Sequence, residues 1–281
     1  MSAGHTLALT PCSRVGGKHD RESETQGREV AGEPAKPGHR YRLVAEVEYD
    51  GTDYLGFQLQ REGRTVQGEL ERTLAAVAQE RVRVVGAGRT DTGVHATGQV
   101  IHFEVSWAHS LAELHRALNA VLAADVSVPT LRVAPPGFHA RYSARSREYV
   151  YTVYTGAVRS PLVQRYSYHH SRTIEVEAMQ QACDCLLGRH DFRAFGSAPS
   201  GDNTVRTVRR AECKRAGEFV RVLMEADAFL RHMMRRIVGS LLLVGTGELA
   251  LDGFAGLLWL QGLKAASAAP PQGLCLTRVN Y

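Results

Sequence analysis

The segment Gly86-Ala87-Gly88-Arg89-Thr90-Asp91-Thr92-Gly93-Val94-His95-Ala96 constrains this chain more than any other. The apolar run Val82-Arg83-Val84-Val85 precedes it, and Val100-Ile101-His102-Phe103-Glu104-Val105 follows it. Both runs have the length and branched composition of strands, so the segment reads as a strand-to-strand loop. Gly86, Gly88 and Gly93 permit positive φ and close approach of other backbone. Between them stand one carboxylate, Asp91, and one guanidinium, Arg89. An isolated Asp-Thr-Gly is ordinarily an Asx turn, in which the Asp side chain closes its own backbone. Charge and glycine concentrated in one loop are the composition of a site instead.

With 281 residues and 44% hydrophobic content, the chain can bury one large core or two smaller ones. No apolar run reaches the ~18 residues needed to span a bilayer. Leu7-Ala8-Leu9 is too short for a signal-peptide core, and Glu22, Glu24, Glu29 and Glu33 disfavour a mitochondrial presequence. The expectation is a cytoplasmic protein without membrane association. Cys12, Cys183, Cys185, Cys213 and Cys275 are scattered, odd in number and without a Cys-x-x-Cys pair, which suggests neither a disulfide framework nor a zinc knuckle. The twelve histidines include no His-Glu-x-x-His, so no metal is expected. The net charge of +5 is modest, yet basic residues cluster at Arg141, Arg145 and Arg147, at Arg206, Arg209, Arg210, Lys214 and Arg215, and at Arg231, Arg235 and Arg236. Any one cluster alone would be a solvated face. Together they suit a polyanionic partner.

Residues 1–40 lack apolar periodicity and are expected to form a disordered, dispensable extension. Alternation of Leu43, Ala45, Val47 and Tyr49 predicts a half-buried strand. Thr65 can cap a helix with Val66, Leu70, Leu74 and Val77 on one face, and Ser110-Leu111-Ala112-Glu113 is a capping box for a second, with Leu111, Leu114, Leu118, Val121 and Leu122 inward. A strand near 126–133 closes the first half. Phe138-His139-Ala140-Arg141-Tyr142-Ser143-Ala144 then leads into a strand over 147–155 with Tyr149 and Tyr151 on one face. A helix from about Glu175 to Gly188, two long strands around Gly217, a helix opening at Phe229, a shorter helix from about Asp252 and a final strand over 274–281 complete the second half. Strands and helices alternate without regular βαβ spacing. The expected fold is α/β (α+β), a mainly antiparallel mixed sheet in two halves of similar make-up, 41–140 and 141–281, with no sequence repeat between them.

Several stretches carry a family resemblance over most of residues 41–281, among them Ser146-Arg147-Glu148-Tyr149, Met233-Met234-Arg235-Arg236-Ile237-Val238-Gly239 and Pro270-Pro271-Gln272-Gly273. The run Gly-Arg-Thr-Asp-Thr-Gly-Val-His-Ala at 88–96 resembles the active-site motif of the TruA-type tRNA pseudouridine synthases. Tyr49-Asp50-Gly51-Thr52 followed by Gly56-Phe57-Gln58 resembles the opening motif, with Phe57 where Trp is usual, and Thr65-Val66-Gln67-Gly68-Glu69-Leu70-Glu71 matches as well. The resemblance implies two halves flanking an RNA-binding cleft and isomerisation of uridine to pseudouridine at positions 38, 39 and 40 of the tRNA anticodon arm. It also implies a homodimer with one tRNA bridging both subunits. Such chemistry breaks a C–N glycosidic bond, turns the uracil and joins C5 to C1′, with no redox change and so no cofactor. By the same resemblance Asp91 is the nucleophile, Arg235 its ion-pair partner, Tyr149 the platform for the flipped uracil, and Leu274 a second contact with the base. Arg89, two residues before Asp91, is placed to fill the space a flipped base vacates and to bind phosphate.

Two other readings stand beside this one. Asp-Thr-Gly is also the signature of aspartic proteases, but those share a proton between two carboxylates, and an adjacent Arg would hold such a dyad ionised. A non-catalytic RNA-binding protein would need only the basic clusters and aromatics.

Overall fold

The computed structural model describes residues 40–260 and 262–281. The expected extension over 1–40 lies outside the described residues except for Arg40, which opens the first strand. In chain order the elements are β1 (Arg40–Tyr49), α1 (Val66–Ala78), β2 (Val85–Gly86), β3 (His95–Ser106), α2 (Leu111–Val121), β4 (Val126–Val133), β5 (Ser146–Tyr154), β6 (Tyr168–His169), α3 (Val176–Asp184), β7 (Gly188–Asp191), β8 (Val205–Ala216), β9 (Phe219–Ala226), α4 (Met233–Gly245), α5 (Leu251–Trp259) and β10 (Leu274–Asn280).

The ten strands form one sheet in the order β4-β1-β3-β10-β5-β9-β8-β7, with β2 beside β3 and β6 beside β5. Every pairing is antiparallel except β3 with β10 and β5 with β6, so the sheet is mixed and mainly antiparallel, as the sequence predicts. The last strand in sequence lies at the middle of the sheet. Its pairing with β3 is brief, Cys275 opposite His95 and Leu276 opposite Ala96. Its pairing with β5 runs from Leu274 opposite Tyr151 to Asn280 opposite Ser146, across a bulge between Leu276 and Arg278.

Local signals explain the first helices. The Thr65 side chain accepts the Gly68 N–H at 3.2 Å, and Val66, Leu70 and Leu74 are buried. The Ser110–Glu113 capping box forms in both directions. Val121, expected inward, is exposed at the last residue of α2.

Three boundaries depart from the sequence reading. Val82 and Val84 are buried but pair with no strand; Gln67 and Glu71 of α1 bond the Val84 carbonyl and N–H instead, at 3.2 and 3.0 Å. Helix side chains thus satisfy the backbone groups that a neighbouring strand would have taken. α3 ends at Asp184, and Gly188, at φ 98°, begins the edge strand β7. α4 begins at Met233 because His232 adopts the left-handed conformation, φ 62°.

The central junction needs a glycine. A Cβ on Gly98 of β3 would lie 2.1 Å from the Thr277 carbonyl oxygen of β10, a contact only backbone movement relieves. Gly98→Ala is therefore expected to lower unfolding free energy by at least about 2 kcal/mol, at the upper part of the range for overpacking. A urea-unfolding midpoint equal to wild type would show that the junction is slack.

Candidate active site

The Asp91 loop is fixed from three sides before it reaches β3. From β1 and the segment after it, the Tyr49 and Thr90 hydroxyls share a hydrogen bond at 2.8 Å, and Phe57 N–H donates to the Thr90 carbonyl at 3.1 Å. Gly56, at φ 92°, is obligatory here, since a Cβ would sit 2.7 Å from that same carbonyl oxygen. Phe57 itself is a buried ring packed under Gly86. From within, Gln99 Nε2 donates to the Gly88 carbonyl at 2.9 Å, and Val94 N–H closes the turn on the Asp91 carbonyl at 3.2 Å. From the second half, Arg147 Nη2 donates to the Ala87 carbonyl at 3.0 Å.

His95 ties this loop to β10. Its Nδ1 accepts the Gly51 N–H at 3.0 Å and its Nε2 donates to the Gln272 carbonyl at 3.2 Å, the tautomer both bonds require. Burial holds the imidazole below its ordinary pKa, against the pull of the Asp50 carboxylate 3.2 Å away. Asp50 accepts from Thr52 at 2.6 and 3.0 Å and from Arg165 and Tyr166 at 3.1 and 3.0 Å, so the Tyr-Asp-Gly-Thr motif organises the loop's support.

The structure brings Asp91 and Arg235 together, Nη1 to Oδ2 at 3.3 Å. The Arg235 side chain is 16% exposed and also donates through Nε to the Ala269 carbonyl at 2.7 Å, while that of Asp91 is 32% exposed. Arg235 belongs to the first turn of α4, whose N-terminus favours a neighbouring carboxylate. His232 stands on the same turn with Nε2 3.6 Å from the same Oδ2. Its left-handed backbone costs energy for a residue with a Cβ and is held by the surrounding contacts, including Arg231 N–H to the Ser197 carbonyl at 3.0 Å.

Tyr149 lies beside this pair. It is 7% exposed, with Phe229 edge-on at 4.8 Å, and a Cβ on Gly88 would come within 3.9 Å of its hydroxyl. Burial, with a smaller push from Asp91, moves its phenol upward, so it stays protonated. Leu274 is buried opposite Tyr151; the residue opposite Tyr149 is Leu276. Arg89 is exposed on the loop. Several members of the basic clusters are engaged within the protein, among them Arg206, Lys214 and Arg215. Arg147 donates to the carbonyls of Ala87, Arg141, Ala144 and Asp227, and Arg210 pairs with Glu212 at 2.6 Å. The contributions of His232 and Arg147 carry no sequence signal of their own: one depends on a backbone conformation, the other on carbonyl groups.

Residues 45–143 and 182–281 match the family model described as tRNA pseudouridine synthase. The tRNA pseudouridine synthase A of Roseiflexus castenholzii is 42% identical over 243 residues, which cover 85% of this chain and 90% of that one. That of Chloroflexus aurantiacus is 45% identical over 244 residues, 84% of this chain and 87% of the other. That of Halalkalibacterium halodurans is 41% identical over 242 residues, 85% and 92% respectively.

The histidines give the site's scaffold a pH dependence. His102, further along β3, is buried, and its Nδ1 accepts the Ala140 N–H at 3.1 Å; burial first, then His139, pushes it down to about 4. A folded-state pKa below the unfolded value of ~6.5 means that the unfolded chain binds more protons between the two. Stability is therefore complete above pH ~6.5 and falls as pH drops toward about 4, by up to ~3 kcal/mol from His102, with His95 adding in the same direction. His102→Asn, which retains an acceptor near Nδ1, should flatten urea midpoints measured between pH 7.5 and 4. An equally steep loss in the variant would place the effect elsewhere.

Proposed function

Because the chain belongs to the tRNA pseudouridine synthase family, we propose that Asp91, Arg235 and Tyr149 carry out the isomerisation of uridine at positions 38, 39 and 40 of the tRNA anticodon stem-loop. The chain is an isomerase with tRNA as substrate. The observation that carries the assignment of residues is the Asp91–Arg235 pair at 3.3 Å, with Tyr149 on β5, separated only by β10 from the strand that the Asp91 loop enters.

Asp91 acts as the nucleophile where base and ribose join. Arg235 and His232 both address Oδ2, and no described residue bonds Oδ1, which leaves that oxygen its lone pairs. Asp91 bonds to C1′ as the C1′–N1 bond breaks, the uracil turns, and C5 then displaces the carboxylate from C1′, which frees Asp91 again. The C5 proton then leaves and N1 gains one, so atoms and electrons balance. Tyr149 holds the turning base by its ring. Leu274, which shares a face of β10 with the neighbour of Tyr149, borders the base. Arg89 occupies the space left in the stem and meets phosphate. Residues 41–140 thus supply the carboxylate, and residues 141–281 its cation and the aromatic ring. Among the described residues no helix is long and apolar enough to cross a membrane; with a tRNA substrate, the reading places the enzyme in the cytoplasm, as a homodimer whose subunits share one tRNA.

The decisive measurement is tritium release from tRNA labelled at uracil C5, since C5 loses its hydrogen only when the new bond is complete. Wild type should release tritium without added metal or cofactor. Asp91→Asn should release none while still binding tRNA, because phosphate contacts supply most of the affinity. Substantial turnover by Asp91→Asn would return Asp91 to the role of turn former. A wild type that binds tRNA but releases no tritium would favour the non-catalytic RNA-binding reading.

Tyr149→Leu should lower turnover at saturating tRNA by at least about tenfold, in line with the loss of a stacking ring. Tyr149→Phe, which retains the ring, should lose less. Full activity in the Leu variant would remove Tyr149 from the site.

A further inference from the structure

Beside the entry to the Asp91 loop, three aromatic rings form a ladder that leads from the core to solvent. His102, buried in β3, meets His139 with centroids 4.7 Å apart and the rings tilted by 59°, and His139 stacks on Tyr142 at 4.3 Å and 29°. Tyr142 is 77% exposed. The Arg141 guanidinium carbon lies 5.7 Å from the Tyr142 ring centroid, and Arg141 and Arg145 are both exposed.

Each rung is fixed in orientation. His102 Nδ1 accepts the Ala140 N–H, and His139 Nδ1 accepts the N–H groups of Arg141 and Tyr142, both at 3.2 Å. The turn is closed by Ser143 N–H to the His139 carbonyl at 2.9 Å and by His139 N–H to Ser143 Oγ at 3.0 Å. The chain's last residue braces it from below, Tyr281 donating to the Ala140 carbonyl at 2.7 Å. An exposed tyrosine thus stands ordered before anything binds, which lowers the ordering cost of binding. Arg147 sets its distance from the chemistry: one nitrogen, Nη2, donates to both the Arg141 carbonyl at 2.7 Å and the Ala87 carbonyl at 3.0 Å. The ladder's backbone and the strand that leads into the Asp91 loop therefore lie side by side.

We propose that the Tyr142 ring, backed by His139 and flanked by Arg141 and Arg145, is a stacking platform for an unpaired RNA base outside the target nucleotide, with the arginines on the adjacent phosphates. It rests on the tRNA-isomerase reading above and adds a contact to it. A planar, sequence-tolerant ring beside cations is the chemistry that holds single-stranded RNA. A second copy of this chain fits less well, because a two-fold contact through this face would bring the arginines of both copies together.

The test compares Tyr142→Ala, Tyr142→Leu and Tyr142→Phe with wild type on a tRNA transcript tritiated at uracil C5. Because Tyr142 is largely exposed, all three should fold with wild-type melting temperatures. Ala and Leu should each weaken tRNA binding roughly tenfold and raise KM with kcat at saturation unchanged, whereas Phe should stay within about twofold, as expected when the ring face is what binds. Arg141→Ala should reduce the slope of log affinity against log salt by roughly one phosphate contact. Wild-type affinity in the Ala variant would overturn the proposal. So would a change of oligomeric state in sedimentation, which would assign the face to a protein contact. Absence of tritium release by wild type is a separate outcome and speaks against the isomerase reading.

Discussion

Two residue pairs hold this molecule's site in place: His95 opposite Cys275 and Ala96 opposite Leu276, where the last strand in sequence meets β3 in parallel. Parallel strands are joined through long connections, and here almost the whole second half of the chain intervenes. The junction is possible because glycines let backbones meet, Gly98 against Thr277 and Gly51 against Val94, where a Cβ would come 1.9 Å from the carbonyl oxygen. Three neighbouring strands follow from it, and each delivers one part of the site. The loop entering β3 carries Asp91, the turn entering β10 covers that loop through Pro271 and Gln272, and β5 carries Tyr149. Residues far apart in sequence become adjacent because three strands are.

Two guanidiniums then fix the loop, and they do so differently. Arg235 divides its donors between a carboxylate and the Ala269 carbonyl, so its charge has a partner. Arg147 is spent on four carbonyls and bonds no carboxylate among the described residues; burial holds its pKa below the ordinary value. Removing a guanidinium from water is costly unless its donors are satisfied, and a planar fork of five donors can satisfy several carbonyls at once. A lysine could not bond all four, having three donors on a single nitrogen. The result is a loop clamped near its start by Arg147 and at its carboxylate by Arg235, with both clamps supplied by the second half of the chain.

Features that depend on nearest neighbours along the chain were legible in the sequence. The alternation in β1, the Thr65 cap, the Ser110–Glu113 box and the tyrosine face of β5 are all local, and each forms. The family resemblance added pairs that no local rule reaches: Asp91 with Arg235 is a contact across 144 positions, and the structure brings them together. What sequence could not show depends on backbone hydrogen bonding. Val82–Val84 has the alternation of a strand, yet Gln67 and Glu71 take its bonds. The pattern Phe229-Leu230-Arg231-His232 runs without a break into α4, and no residue type announces that His232 turns left-handed there. Basic residues read by charge alone were equally ambiguous, since Arg147 faces carbonyls while Arg141, six residues earlier, faces solvent.

The asymmetry of the Asp91 carboxylate connects this scaffold to the proposed role of Asp91 in the reaction. A carboxylate buried and fully bonded would be held but unable to react; one fully hydrated would be free but badly placed. Here Oδ2 lies 3.3 Å from Arg235 and 3.6 Å from His232, whereas Oδ1 has no bond from the described residues, and the side chain is about one-third exposed. Holding one oxygen fixes the direction of the other, so orientation is achieved before substrate arrives and is not charged against the barrier. The same division recurs at the surface. Tyr142 is fixed on one face by His139 and its backbone, and its exposure leaves ring area for a partner. In both places the fold immobilises one side of a group and leaves the other accessible, as the proposed action on a base that must leave its stack requires.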